Sequence, residues 1–303
     1  MEKIGVVTVT YNSEKVLDSF LNDLMLQNYT EFVLYIVDNA SKDATLEILG
    51  RYDDSRIKIL RNKYNLGVAA ANNLGIRSAI NDNCGQILLL NNDIEFSDNL
   101  LHDLLLEQSN NKCSMLAPKI MFHDKQDTIW YAGGWFNKNK GYLPNHRGIN
   151  EKDIGQYDMS LQIEYASTCC LLIKKEVFDD VGLMDEKFFV YFDDTDFLFR
   201  VLKHGKHKLW FCPHVLLYHK VGSLSKSFKK DRKNKVVRGD FFLKQNIRNH
   251  IYFLRKIGTS YAYIYCFYLL LKNNVRFFIS PMIKKDFSTF SVINKSYFQG
   301  WYL

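Results

Sequence analysis

The chain has 303 residues, 47% hydrophobic and 24% charged, with only 4 Pro, which fits one large α/β domain with an appendage or two modest domains and excludes a long disordered linker. Its net charge of +7 is unevenly spread: residues 220–303 carry 17 Lys and Arg against 3 Asp, and residues 1–219 have a net charge of −7. An acidic body with a basic tail directs the tail to a phosphate-rich surface, nucleic acid or an anionic membrane face.

Met1-Glu2-Lys3 leads directly into IGVVTVT (Ile4–Thr10), a β-branched run that reads as a buried strand, with no signal peptide ahead of it. Tyr11-Asn12-Ser13 breaks the run, and Ser13 is placed to cap a helix carrying Leu17, Phe20, Leu21 and Leu24 at helical spacing. A second apolar strand over 32–37 ends on Asp38-Asn39-Ala40-Ser41, followed by a helical segment at 44–52 and a short strand at 57–60. Strand, helix, strand, helix, strand predicts a parallel, doubly wound sheet. Asn65-Leu66-Gly67 then opens a helix rich in small residues, through Asn73-Leu74-Gly75. Small residues allow close approach to a ligand or to a neighbouring strand, and neither a P-loop nor a GxGxxG loop is present.

Ile87-Leu88-Leu89-Leu90 runs into Asn91-Asn92-Asp93. A short apolar run ending in polar residues predicts a strand buried on both faces, with its polar end at the carboxyl edge of the sheet, where α/β proteins bind ligands. Asp93 is then placed to hold a hard cation and, through it, a diphosphate; the plainer reading is a turn at a strand end. A helix at 99–108 and a strand at 115–120 follow. Residues 123–160, with Gly133, Gly134, Trp135, Phe136 and Gly141, read as an extended loop or hairpin covering the site.

Residues 167–173 (STCCLLI) read as a buried strand, and the six cysteines, with no CxxC among them, as buried thiols in a reducing compartment. A short helix from Glu176 ends at Gly182. Asp193, Asp194 and Asp196 lie among aromatics, a costly arrangement unless solvated, metal-bound or proton-sharing. With a helix starting here, Asp193 and Asp196 share a face, and one carboxylate can face a substrate while another sits at the helix N-terminus. The plainer reading is the acidic first turn of an ordinary amphipathic helix. A strand ending at His219 closes the domain, and His219, at a strand end like Asp93, is a candidate to complete an Asp/His metal site. His214, after Pro213 in a turn, is the weaker candidate.

Beyond Lys220 come a basic segment (226–238) and aromatic helical patterns at 241–256 and 261–278. The longest apolar stretch, 261–271, is too short to span a bilayer. Basic residues interleaved with Tyr, Phe and Leu suit a helix lying in the interface of an anionic membrane. No nucleic-acid-binding module accompanies the charge, so no nucleic-acid partner is expected.

Taken together, Val9-Thr10-Tyr11-Asn12, Val37-Asp38-Asn39-Ala40-Ser41, Asn65-Leu66-Gly67 through Asn73-Leu74-Gly75, Leu90-Asn91-Asn92-Asp93, Gly182 to Asp196 and His219-Lys220-Val221-Gly222-Ser223 resemble, in order, family 2 glycosyltransferases of the GT-A fold, in the bacterial rhamnosyl- and galactofuranosyltransferase subgroup. The resemblance implies an α/β fold of GT-A type, a doubly wound, mostly parallel sheet over 1–223, with a basic, helical, membrane-associating region over 224–303. It implies a base-binding Asp38 with Thr10 and Asn12 beside it, and Asn65, Asn73, Asn91 and Asn92 lining the nucleotide-sugar site. Asp93 stands at the DxD position to hold Mg²⁺ or Mn²⁺, joined by His219, and Asp194 is the general base, with Asp193 in place of the more usual Glu. Two departures stand out: Asn91 replaces the first Asp of DxD, and Gln245-Asn246-Ile247-Arg248-Asn249 replaces QxxRW, which disfavours a processive synthase.

The expectation is an inverting transfer of a rhamnose- or galactofuranose-like sugar from a UDP- or dTDP-linked donor to a glycan or lipid-linked acceptor, on the inner face of the cell membrane. A cation neutralises the departing diphosphate and a single carboxylate takes the acceptor proton. Two carboxylates bracketing a water would signal hydrolysis instead. The rivals are a non-catalytic nucleotide-sugar-binding scaffold, favoured by Asn91, and a nucleotidyltransferase, disfavoured because residues 8–16 lack a Gly/Arg/Lys-rich phosphate loop.

Overall fold

The computed structural model describes residues 2–221, 228–230, 236–238, 240–279 and 287–303. Gly222-Ser223 of the last motif, and the basic 226–238 segment apart from two short strands, lie outside the described residues.

In chain order the first half runs β1 (Ile4–Thr10), α1 (Leu17–Met25), β2 (Phe32–Asp38), α2 (Thr45–Leu49), β3 (Ile57–Arg61), α3 (Val68–Asn81) and β4 (Gln86–Leu90). β3, β2, β1 and β4 are neighbours and all parallel. The second half adds β5 (Ile94–Phe96), α4 (Leu100–Asn110), β6 (Met115–Phe122), β7 (Lys125–Tyr131), the hairpin β8 (Gly134–Asn137) and β9 (Leu143–His146), and β10 (Leu161–Ile163). It continues with β11 (Cys170–Lys174), α5 (Lys175–Val181), α6 (Asp193–His204) and β12 (Leu209–His219). β11 lies between β4 and β6 and runs antiparallel to both, and β12 returns parallel to β6. The sheet is mixed and mostly parallel.

Alternation along the strands explains the two layers. Ile4 and Val6 of β1 point to the face covered by Leu17, Phe20 and Leu21 of α1 and Leu101 and Leu104 of α4. Val7 points to the opposite face, with Ala69, Ile76 and Ala79 of α3 and Val177 and Phe197 beyond them. The expected doubly wound arrangement is therefore present, with helices on both faces.

Three local expectations are corrected. Ser13 does not cap α1 with its side chain: its hydroxyl accepts the Tyr11 N–H (3.3 Å), its carbonyl takes Val16 and Leu17 N–H, and α1 starts at Leu17. The strand expected over 167–173 starts only at Cys170, because Ser167 Oγ accepts the Cys169 N–H (3.3 Å) and turns the chain first. Pro213 and His214 lie within β12 rather than in a turn; the register slips between Cys212 and Leu216, and this bulge accommodates a proline inside a strand. His214 is exposed there, away from His219's neighbours.

Downstream, the strands β13 (Phe228–Lys230) and β14 (Val236–Arg238) pair antiparallel, and α7 (Asp240–Ile257), α8 (Ser260–Ile279) and α9 (Phe287–Tyr302) form a helical bundle. Ile251, Leu254, Ala262, Cys266 and Tyr297 make its core, while Tyr252 and Phe253 of α7 pack into Phe188, Phe192 and Phe199 of the body. Among the described residues no helix is long and apolar enough to cross a membrane.

Candidate active site

β4 is buried along its whole length, and Asn91-Asn92-Asp93 leave its carboxyl end. Both asparagines brace this edge. Asn91 donates its backbone N–H to the Cys169 carbonyl (2.9 Å), and Asn92 Nδ2 reaches across to the Val9 carbonyl of β1 (2.8 Å). Asp93, 7% exposed, stands with its Oδ2 3.4 Å from Nε2 of His219. Topology makes this pair: β5 runs antiparallel to β12 with Ile94 opposite His219, and the Lys220 N–H donates to the Asp93 carbonyl (2.8 Å). Trp130 from β7 sets its ring edge-on to His219 at 4.7 Å, and His219 Nδ1 is buried with no hydrogen-bond partner among the described residues.

The carboxyl ends of β1 and β2 form a second polar cluster. Thr10 Oγ1 donates to Asp38 Oδ1 (3.1 Å), and Asp38 Oδ2 accepts the Ser41 N–H (3.1 Å). Asn12 takes the left-handed conformation (φ 54°), donates its N–H to Ser41 Oγ and accepts the Lys42 N–H. Asn39 is the hub of the next loop: its amide donates to Asn65 Oδ1 and to the Gly67 carbonyl and accepts from Asn62 and Leu66. Asn65 is thus occupied by protein. So is Asn73, whose amide clasps the Met184 backbone at both its N–H (3.0 Å) and its carbonyl (2.9 Å) and also meets Glu186. Expected in the nucleotide-sugar pocket, Asn73 instead ties α3 to the loop before α6. The small residues around it resolve in two ways: a Cβ at Gly75 would strike Val7 of β1, and one at Gly67 would strike the Phe189 backbone.

The opposite wall is the start of α6. Tyr191 (φ 65°) and Phe192 (φ 70°) turn the chain through the left-handed region into Asp193. The three carboxylates then separate. Asp196, 2% exposed, is spent on Arg200 Nε (2.9 Å) and Lys256 Nζ (2.7 Å), so it is structural. Asp194, half-buried, accepts the Tyr165 hydroxyl on Oδ2 (2.7 Å) and the Thr195 N–H on Oδ1 (2.6 Å). Burial pushes Asp193 up to about 8, with the neighbouring Asp194 charge adding to it. Burial raises Asp194 too, but the Tyr165 and Thr195 hydrogen bonds and His146 pull it back down. Burial and mutual repulsion therefore oppose double ionisation of the pair, and the donors on Asp194 favour the charge there.

One cavity of about 740 Å³ joins the two walls; Asn91, Asn92 and Asp93 line one side and Asp193 and Asp194 the other. His146, Trp130 and Tyr165 line it between them, with Leu143 and Pro144 from the β8–β9 hairpin, so part of the 123–160 segment does reach the site. The His146 ring stands edge-on to Trp130 (5.0 Å) and Tyr131 (5.2 Å), and burial lowers its pKa against the pull of Asp194. Thr10, Asn12, Asp38, Asn65 and Asn73 do not line this cavity; Val9 and Tyr11 connect it to the Asp38 cluster. Sequence reasoning missed Trp130, His146, Tyr165 and, from the C-terminal region, Asn246. The only signal for the first two was the aromatic density of a segment too long to be an idle loop.

Among the described residues no group of three His, Cys, Asp or Glu side chains is placed to hold a metal ion. What exists is a pair, Asp93 and His219, with one oxygen and one nitrogen donor. A pair fits a cation that takes its remaining ligands from a diphosphate and water, and does not fit a closed protein cage.

A mostly parallel sheet with an Asp–His pair at its carboxyl edge, whose Asp93 faces the adjacent Asp193 and Asp194 across one cavity, is an α/β fold with its candidate site where such sheets bind ligands. The chain belongs to glycosyl transferase family 2, whose model matches residues 5–182. Curated relatives include the dTDP-rhamnosyl transferase RfbF of Shigella flexneri, 26% identical over 73% of this chain and 70% of that one. Another is the N-acetylglucosaminyl-diphospho-decaprenol L-rhamnosyltransferase of Mycobacterium tuberculosis, 25% identical over 73% of this chain and 77% of that one. Among solved structures, Staphylococcus aureus TarS 1–349 in complex with UDP superposes over 83% of this chain with a TM-score of 0.55 at 17% identity. GalNAc-T7 with UDP, GalNAc and Mn²⁺ does so over 84% with a TM-score of 0.61 at 14% identity. The matched regions span 65% and 48% of those two chains, and the likeness shows the GT-A fold.

Proposed function

We propose that this chain is an inverting, metal-dependent glycosyltransferase moving a rhamnose-like hexosyl group from a dTDP- or UDP-linked donor to a glycan or lipid-linked acceptor in cell-surface polysaccharide synthesis. The observation that carries the reading is the cavity with Asp93, which His219 meets from behind the wall, on one side and a hydrogen-bonded Asp194 on the other. The names of the rhamnosyltransferase relatives support the sugar and the lipid-linked acceptor. The UDP and Mn²⁺ in the titles of the structural neighbours support the donor class and a divalent ion.

Asp38, with Thr10 and Asn12 beside it, is assigned to the nucleotide base, and Asn91 and Asn92 to the shape of the donor-side edge. Asp93 and His219 would hold Mn²⁺ or Mg²⁺, which when bound neutralises charge on the departing diphosphate. An imidazole in the set favours Mn²⁺. Asp194 takes the proton of the acceptor hydroxyl as its oxygen attacks the anomeric carbon from the face opposite the nucleotide. Protonated Asp193 beside it leaves a single base, which suits one displacement.

The test is a transfer assay over a panel of dTDP- and UDP-sugars with Mn²⁺ and Mg²⁺. Asp194→Asn is expected to lower kcat by about 10²–10⁴-fold while leaving donor binding nearly intact. Chelation is expected to stop turnover and added Mn²⁺ to restore it. Unimpaired turnover in Asp194→Asn would remove that residue from its role, and chelator-resistant turnover would remove the metal. A non-catalytic scaffold, the reading favoured by Asn91, predicts donor binding with no transfer under any condition.

A further inference from the structure

We propose that Asn249, in the C-terminal helix α7, is a positioning residue for Asp194: it clamps the left-handed turn from which the catalytic helix starts. Two successive non-glycine residues at positive φ, Tyr191 and Phe192, form that turn. Such backbone persists only where its surroundings over-determine it. The over-determination comes from α7. Asn249 is fully buried, and its Nδ2 donates to the carbonyls of both Val190 and Tyr191 at 2.8 Å. Its Oδ1 accepts Arg248 Nε (2.9 Å), and Arg248 Nη2 donates to the Lys187 carbonyl (2.6 Å) in the same loop. Every polar atom of the Asn249 side chain is thus spent on fixing one turn.

The flanking residues hold the same frame. The His250 ring stacks on Phe192 at 5.3 Å, and its Nε2 meets the Gly141 carbonyl (2.7 Å) at the tip of the β8–β9 hairpin. Two helical turns on from Asn249, Lys256 bridges Asp196 and Asp185 at 2.7 Å each. Arg248, Asn249 and His250 therefore spend three adjacent polar side chains on the loop before Asp193, on the turn itself and on the hairpin that roofs the cavity. Asp194 leaves this turn after one residue, and its hydrogen bonds, from the Tyr165 hydroxyl and from the Thr195 N–H and hydroxyl, fix it only if the turn is fixed. A base displaced by an ångström loses on the order of a hundredfold in rate. The Gln-x-x-Arg-Asn stretch that departs from QxxRW is thereby given a use: its final Asn binds backbone where a Trp has no amide to offer.

This inference rests on Asp194 as the base, so Asp194→Asn is measured beside it. The probe is turnover of dTDP-rhamnose with Mn²⁺ by the full chain, together with UDP binding. Asn249→Ala is expected to fold cooperatively and lose ten- to a hundredfold in kcat. UDP affinity is expected to stay within about twofold, and the acid limb of the kcat–pH profile to shift because the carboxylate has lost its fixed donors. Leu101→Ala, a core substitution under α4 on the other face of the sheet, is expected to lower the melting temperature without moving that limb. If Asn249→Ala does not fold, Asn249→Gln, which keeps an amide one methylene further out, is read by the same split. Wild-type kcat in the folded variant, or a loss matched by Leu101→Ala with an unmoved limb, overturns the clamp. Full turnover in Asp194→Asn instead overturns the base, and the clamp falls with it.

Discussion

Asp193 and Asp194 are adjacent in sequence yet differ in their fields, because Asp194 has donors from Tyr165 and Thr195 while burial dominates at Asp193. Asp194 has the Tyr165 hydroxyl and the Thr195 N–H; Asp193 has burial and the charge of its neighbour. The linkage follows in sign. Folded Asp193 holds its proton up to about 8, whereas the unfolded chain releases it near 3.8, so the native state binds the extra proton across that window. Stability contributed by this group is therefore full below about pH 4 and falls as pH rises towards 8. Asp193→Asn, which cannot ionise, is expected to flatten the fall in unfolding midpoint between pH 5 and 8.5, measured by thermal denaturation; an unchanged slope would assign the loss to other groups. The places of Asp93 and His219 at strand ends and of Asp194 at a helix start were legible in the sequence. Trp130, His146, Tyr165 and Asn249 were not, because their roles depend on partners that β7, β9 and α7 bring from distant parts of the chain.

Among the elements, the strands were legible where hydrophobic runs are short and bounded: β1, β2 and β4 were read nearly to the residue. Direction was not. β11 has the apolar run of any buried strand, and nothing in its period says that it enters the sheet antiparallel between β4 and β6. The capping role expected of Ser13 failed for a local reason: its hydroxyl bonds to the Tyr11 N–H, and a further turn intervenes before the helix. The glycines of α3 show how one composition serves two contacts. Gly75 sits against Val7 and Val37, which is close helix–strand packing, while Gly67 admits the backbone of Phe189 and thereby the loop that leads to Asp193. Added to the Asn73 clasp on Met184, this makes α3 a strut between the donor-side loops and the catalytic turn.

On the scale of the whole molecule, the boundary expected near residue 223 separates charge but not structure. α7 packs on the loop before Asp193, supplies Asn246 to the cavity wall and pairs Lys256 with Asp196, so the body and the first C-terminal helix pack as one unit. The membrane-facing part of our reading belongs further out, on α8. There Ile264 (67% exposed), Phe267 (60%), Leu271 (50%) and Val275 (52%) recur at helical spacing and form an uncovered apolar stripe with Lys272 beside it. We expect the full chain to float with phosphatidylglycerol vesicles and the combined Ile264→Glu, Phe267→Glu and Leu271→Glu variant to stay behind while still binding UDP. Equal flotation of the two would remove α8 from that role.

The cysteines carry a practical consequence. All six are unpaired and buried, and burial raises every one of their thiols; Cys169 borders the cavity, and an alkylating reagent reaches the other five only when the surrounding structure opens. Five lie in or around the sheet, while Cys266 alone lies in the bundle core. The chain thus holds its own clock with two hands: the labelling rate of Cys266 set against that of Cys84, Cys113, Cys170 and Cys212 times how often the bundle core opens relative to the sheet.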